Sequence, residues 1–251
     1  MFPGQAHTAA RVPTMSHTAT ATPSAPPATS DGIAREMIHA AASADDRSVA
    51  SVRVAALAPR RPVEVQPASP VHTPRFSLRP LEVRDREEFL RVLRISDHLD
   101  RFMPLRHPGE RDEAVFARHL AQTRNSDASG VAWRRVGVDH TGRIVGGFNL
   151  INIERGLAHR ADANWWVAGD CLRRRVATEC VYAMLDLALG DAPLGLGLHE
   201  VAAHVQLENE PSLRLVARVG LRDCGEAPQT LRVGERWLLH RTYIKSVLDR
   251  A

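Results

Sequence analysis

Three consecutive arginines, Arg173, Arg174 and Arg175, precede a stretch where Val176, Cys180, Met184, Leu187 and Ala188 recur at helical spacing. A helix N-terminus presents unpaired N–H groups and the positive end of the helix dipole, which together attract phosphate. The junction therefore has two readings: a phosphate-grasping turn, or a solvated basic run whose charge opposes the dipole. Further along, Asn209 and Ser212 stand three residues apart at the head of another helical segment. Both types cap helices as readily as they hold ligands. Proton-transfer chemistry needs a base within hydrogen-bond reach of the proton it takes. His204, Asp162, Glu208 and His159 are the candidates. Against them, a lone histidine on a buried strand is more often a satisfied core residue, and acids at loop edges are usually solvated.

These residues must be positioned by the elements around them. Phe76 to Leu81 alternates apolar and polar residues and predicts a first strand. Two helices follow, about Arg84 to Ile95 and Asp112 to Arg124, with Pro104 and Pro108 breaking the chain between them. Val131 to Val138 and Ile144 to Ile153 flank Asp139-His140-Thr141-Gly142, a hairpin by its turn residues. Ala163 to Val167 is a further strand, and Val176 to Leu189 a helix. Then come a buried strand (Val201 to Val205), a helix (Pro211 to Val219), a short strand (Leu221 to Cys224) and a last strand (Trp237 to Ile244). This order predicts an α/β fold with a mixed sheet of six or seven strands and helices on both faces.

Residues 1–74 hold ten of the sixteen prolines, one aromatic residue and long Ala/Thr/Ser runs. Such a stretch cannot bury enough apolar surface to offset its ordering entropy, so a disordered leader is expected. Within it Ala44 to Leu57 could form a short helix, and Pro59, Pro62, Pro67, Pro70 and Pro74 favour an extended linker. Translation starting at Met15, Met37 or further downstream is an equal alternative. Residues 75–251 are ample for one domain with a full core.

The net charge is +4, and Lys245 is the single lysine beside 32 arginines, a bias that genome base composition explains. Arg173 to Arg175 is the only tight basic run, so nucleic-acid binding is not the favoured reading. Mild basicity still suits a polyanionic nucleotide cofactor. Cys171, Cys180 and Cys224 lack zinc or disulfide spacing, which fits a reducing, cytoplasmic setting without a metal. No apolar run is long enough for a membrane span, and no secretory signal is visible.

Five segments carry a resemblance to a known family. They are FSLRPLEVRDREEFLRVL from Phe76, GRIVGGFNLINI from Gly142, the Trp165 to Leu189 segment, LHEVAAHVQLENEPSLRLVARVGL from Leu198, and Leu231 to Ile244. Together they resemble the GNAT superfamily of N-acetyltransferases. The nearest likeness is to the branch that acetylates ribosomal-protein N-termini at serine or alanine, with its small-amine relatives. The resemblance implies acetyl-CoA as co-substrate, with its pyrophosphate held by Leu172, Arg173, Arg174, Arg175, Val176, Ala177 and Thr178. It implies that Asn209 holds the pantetheine arm between two splayed strands. Ser212 would then serve the leaving thiolate, and a backbone N–H at Trp166 or Val167 would polarise the thioester carbonyl. The acceptor is expected to be an amine on a protein N-terminus or small molecule, and family members often form homodimers.

The departures are specific. Leu172 and Arg175 stand where the family pattern has Gln/Arg and the central glycine, and Val216 replaces a tyrosine donor. Leu239 and Cys224 occupy positions where acids are usual. Arg175 either grips phosphate or marks a weakened cofactor site. Gly146-Gly147 is expected to let another backbone approach closely. Three functions compete: an N-acetyltransferase, a non-catalytic module of the same fold, and an unrelated α/β domain binding nucleotide or nucleic acid.

Overall fold

The computed structural model describes residues 70–250. The expectations for the leader before Pro70 and the alternative start sites lie outside the described residues. The described elements begin with strands β1 (Val71–His72) and β2 (Phe76–Arg79), then helices α1 (Arg86–Ile95) and α2 (Asp112–Ser129). Strands β3 (Trp133–Asp139), β4 (Ile144–Glu154) and β5 (Arg160–Val167) precede helix α3 (Val176–Leu189). Strand β6 (Glu200–Gln206), helix α4 (Glu210–Arg218), and strands β7 (Arg222–Asp223), β8 (Gln229–Val233) and β9 (Arg236–Ser246) complete the order.

The sheet runs β1-β2-β3-β4-β5-β6-β9-β7, with β8 also paired to β9. All neighbours are antiparallel except β5 and β6. Strand alternation divides the apolar residues between two cores. Phe148, Leu150, Ala163, Val201 and Val205 pack against Cys180, Met184 and Leu185 of α3 and Val216 of α4. On the other face Val136, Ile144 and Trp166 pack against Phe89 and Val92 of α1 and Val115 and Phe116 of α2. Helices therefore cover both faces, as the element order requires.

Two strands exceed the expected count. β1 is two residues long, and β8 is mostly exposed, so neither leaves a readable apolar period. The β8–β9 hairpin closes between Val233 and Arg236, with Gly234 at φ 60° supplying the turn. β5 also begins at Arg160, before the expected Ala163.

The functionally important feature is where pairing stops. β5 and β6 are in register only at Arg160↔Glu200, Ala161↔Val201 and Asp162↔Ala202. Beyond that point β5 stays on β4 as far as Val167↔Gly146, while β6 stays on β9 as far as Gln206↔His240. Each strand is held by its outer neighbour, and the two inner edges part. β4 carries a register shift between Ile151 and Glu154, with Asn152 at φ 53°. Such bulges bend a strand and raise its local twist.

Candidate functional site

The gap is lined by backbone groups that the sheet does not use. The Ala168 N–H goes to the Val145 carbonyl on β4. Antiparallel alternation then turns the N–H groups of Val167, Trp165 and Ala163 toward β6. The predicted pair Trp166–Val167 is thus divided, because only Val167 aims its backbone into the gap. Trp166 instead sends its indole to the opposite face, against Gly147. A Cβ on Gly147 would lie 2.3 Å from the indole nitrogen, and one on Gly146 would lie 2.4 Å from the Trp166 carbonyl oxygen. The expected close backbone approach therefore holds at Gly146, whereas Gly147 makes room for a side chain.

At the open end, Gly169–Cys171 forms a single 3-10 turn and leads to the arginines. Arg173 and Arg175 take φ of 60° and 59°, the left-handed region that favours glycine. Arg175 thus adopts the conformation for which a glycine is used, at a cost of about 1–2 kcal/mol. Leu172 and all three arginine side chains are exposed. Among the described residues no carboxylate pairs with these arginines. Among the described residues no side chain caps α3, so the N–H groups of Val176, Ala177 and Thr178 remain available, while the Val176 side chain is buried in the core.

The turn is braced from a direction that sequence reasoning missed. Glu179 accepts from Thr73 Oγ1 at 2.6 Å and Arg75 Nε at 2.7 Å, and Arg75 Nη1 donates to the Arg174 carbonyl at 3.1 Å. Asp170 is held by Arg91 and Arg143. Such cross-links between distant segments leave no local sequence signal. Because the Arg175 guanidinium makes no bond among the described residues, Arg175→Gly is expected to raise the melting temperature by about 2 °C as strain is relieved. It is also expected to weaken CoA binding several-fold, with the deficit shrinking in high salt. Thermal denaturation and calorimetric titration read both effects.

Asn209 caps α4, its Oδ1 accepting the Ser212 N–H at 3.2 Å. The cap consumes the oxygen and leaves the amide Nδ2 without a partner among the described residues. Ser212 is half-buried, and its hydroxyl is likewise unpartnered.

Of the four base candidates, two come together. Asp162 and His204 stand on adjacent strands at the vertex where pairing ends, with Nε2 and Oδ1 3.5 Å apart. His204 Nδ1 lies 3.1 Å from Thr242 Oγ1 and 3.0 Å from Gln229 Nε2. Asp162 accepts from Asn152 Nδ2 at 2.7 Å. Burial pushes the Asp162 carboxyl up, but His204, Asn152 and Arg160 outweigh it and hold the group below its ordinary value. Glu208 is instead paired with Arg101 at 2.6 Å on the surface. His159 is exposed beyond the zipped end of β5.

A cavity of about 220 Å³ opens on the sheet face opposite α3, beneath α1, α2 and the Met103–Leu105 segment. His119 lines it, and burial, with Arg118 and Arg134 nearby, pushes its ring down to about 4 despite a 3.0 Å bond to the Leu105 carbonyl. The unfolded ring titrates near 6.5. Between these values the unfolded chain binds more protons, so stability rises with pH and falls on acidification. The wild type is expected to lose roughly 2 kcal/mol between pH 6.5 and 4.5. His119→Gln should flatten that slope in denaturant titrations, and an unchanged slope would refute the assignment.

The β8–β9 hairpin also meets the α1–α2 connection. Arg236 Nη2 donates to the Arg101 carbonyl at 3.1 Å, joining the β8–β9 hairpin to the α1–α2 connection. Gln206 Nε2 ties the same connection, at the Phe102 carbonyl, to the open end of β6 at 2.9 Å. Among the described residues no helix is long and apolar enough to cross a membrane.

Comparison with known proteins bears on this geometry. The family profile described as "Acetyltransferase (GNAT) domain" matches residues 75–222. Among solved structures, Mycobacterium smegmatis RimJ in complex with CoA-disulfide is similar at 25% identity. That match covers 69% of this chain and 83% of RimJ, with a TM-score of 0.61. A ribosomal-protein-S5-alanine acetyltransferase from Vibrio fischeri is similar at 20% identity, covering 71% and 96% of the two chains with a TM-score of 0.61. A spermidine N-acetyltransferase from Vibrio cholerae, in complex with CoA and spermine, matches at 18% identity over 68% and 95%, with a TM-score of 0.55. The last two likenesses concern the fold. A search of curated proteins gives no match.

Proposed function

The chain belongs to the GNAT acetyltransferase family, and on that premise we propose that it acetylates a primary amine by direct attack in a ternary complex. The observation that carries this reading is the register of β5 and β6, which ends at Asp162↔Ala202. The resulting gap runs from the free N–H groups of α3 to the Asp162–His204 pair. From Val167 to Asp162 it extends roughly 16 Å along β5.

The residues present suit acetyl-CoA. Val176, Ala177 and Thr178 offer backbone N–H groups to the pyrophosphate, and Arg173, Arg174 and Arg175 offer charge. Asn209 Nδ2 and the unpaired strand edges are available to the pantetheine amides. Acetyl-CoA, when bound, supplies an acetyl group activated as a thioester. A gap-facing N–H of β5 is the donor available to the thioester carbonyl, and the Ser212 hydroxyl is the donor available to the departing sulfur.

His204 and Asp162 do the proton work. In the tautomer that acts as base, the Nδ1–H is donated to Thr242 Oγ1 with the Gln229 amide turned to present its oxygen, and the Nε2 lone pair is directed into the space beside Asp162, 3.5 Å away. An ammonium entering that space finds a carboxylate that attracts its charge and an imidazole that takes its proton. The amine of a protein N-terminus or of a small molecule meets this description equally.

Two assays test the proposal. Acetyl-CoA and CoA should raise the melting temperature, whereas ATP should not. Thiol release with a panel of primary amines should then follow Michaelis kinetics. CoA binding without thiol release from any amine would leave the alternative, a member of this fold kept for ligand binding or interaction, which the Leu172 and Arg175 departures favour.

A further inference from the structure

The cavity has a chemical polarity that the reaction does not require. Its lining includes Leu81, Phe89, Leu105, Trp166 and Arg134, and no aspartate or glutamate. Its histidine, His119, is held neutral around pH 7. Arg134 is half-buried, and its Nε donates to Ser126 Oγ at 3.2 Å. Its two Nη groups have no hydrogen bond or ion pair among the described residues. The neighbouring Arg135, also in the lining, has its charge met by Asp127 at 2.8 Å, although its Nε and Nη2 are buried without a hydrogen bond. Partial burial disfavours the charged form of Arg134, and a carboxylate at its fork would offset that.

Register places Arg134 at one end of a polar row. It lies directly across from Asn149 on β4, which lies directly across from Asn164 on β5. Directly opposed antiparallel residues share a face, so all three line the cavity. Asn149 Nδ2 donates to Asn164 Oδ1 at 2.8 Å, leaving the Asn149 oxygen and the Asn164 amide group open. Two strand spacings, about 10 Å, separate the backbones at the row's ends. Asn164 is two residues from Asp162 on the same face of β5, so the row leads from a free cation to the proposed base.

We propose that the acceptor is an amino-acid-sized primary amine bearing a carboxylate, with Arg134 as the residue that selects it. The inference rests on the acetyltransferase reading above. The two free Nη groups form the fork that matches a carboxylate in bidentate fashion. Asn149 and Asn164 orient the intervening atoms, and the amine is delivered toward Asp162 and His204. A polyamine finds no carboxylate in this cavity and meets Arg134 as a like charge.

Binding can be read separately from catalysis by titrating N-acetylleucine and N-acetylleucinamide into the protein without CoA. The two differ only in the carboxylate. N-acetylleucine is expected to bind at least ten-fold more tightly. Arg134→Gln should erase that difference, and Arg134→Lys should retain part of it, with melting temperatures confirming that both variants fold. Equal binding of the two compounds by the wild type, no binding of either, or a preference that survives Arg134→Gln overturns the inference. In turnover, leucine should exceed leucinamide in kcat/KM by a similar factor. A carboxylate preference in binding with no transfer to any amine would sink the acetyltransferase reading while leaving the anion site standing. Transfer to leucinamide in preference to leucine would do the reverse.

Discussion

Replacing His204 by glutamine is expected to lower kcat about 100- to 1000-fold with saturating amine, while leaving the CoA dissociation constant within about two-fold. Glutamine keeps a polar group beside Thr242 and Gln229, so the strand pairing at His204↔Thr242 need not change. What disappears is the proton acceptor 3.5 Å from Asp162. The loss should fall on kcat with CoA affinity unmoved, a split that a merely structural role would not produce. Asp162→Asn should act in the same direction, because it removes the negative charge that draws an ammonium to the vertex. The double variant should be little worse than either single one, since groups acting as a unit are not additive. A His204→Gln enzyme with near-normal kcat would assign the proton to another acceptor.

Gly169→Ala carries the largest expected effect on stability. A Cβ there would meet the Ile95 carbonyl oxygen at 1.9 Å, and that atom belongs to backbone. Neither segment has a flexible end that can swing away. The Gly169 N–H also donates to Ser96 Oγ at 3.2 Å, and His98 bonds the Val167 carbonyl at 3.1 Å just beside it. Pushing the two segments apart breaks both links and shifts the turn that leads to Arg173. Overpacking of this kind is expected to cost about 3 kcal/mol, which lowers the melting temperature by roughly 6 to 12 °C. CoA affinity should fall along with stability. Gly130→Ala is the control: nothing lies within 4 Å of its Cβ, so only the cost of φ 69° remains. A Gly169→Ala protein that melts with the wild type would mean that α1 does not seat against the end of β5.

Most of the fold was legible because it rests on short-range patterns. The α3 boundaries follow from Val176, Cys180, Met184 and Ala188 recurring on one face, and all four are buried. The β3–β4 hairpin follows from its turn residues, with Gly142 at φ 86°. β8 was missed because Gln229 and Thr230 face solvent, so its alternation encloses no core. At the site, the arginine turn and the Asn209 cap were visible as local motifs. Arg134, Asn149 and Asn164 were not, because they share a face only through strand register. Arg75 and Glu179, 104 positions apart, carry no mutual signal at all.

Local chemistry and periodicity alone determined the helices, the strand faces and the family resemblance, for these depend on residues a few positions apart. The tertiary structure decided three further things. It set where β5 and β6 separate, which of the candidate bases meet, and which cation of the cavity has no counter-charge among the described residues. Each of these depends on residues brought together across strands, where a one-residue change of register would turn the same side chains to the other face.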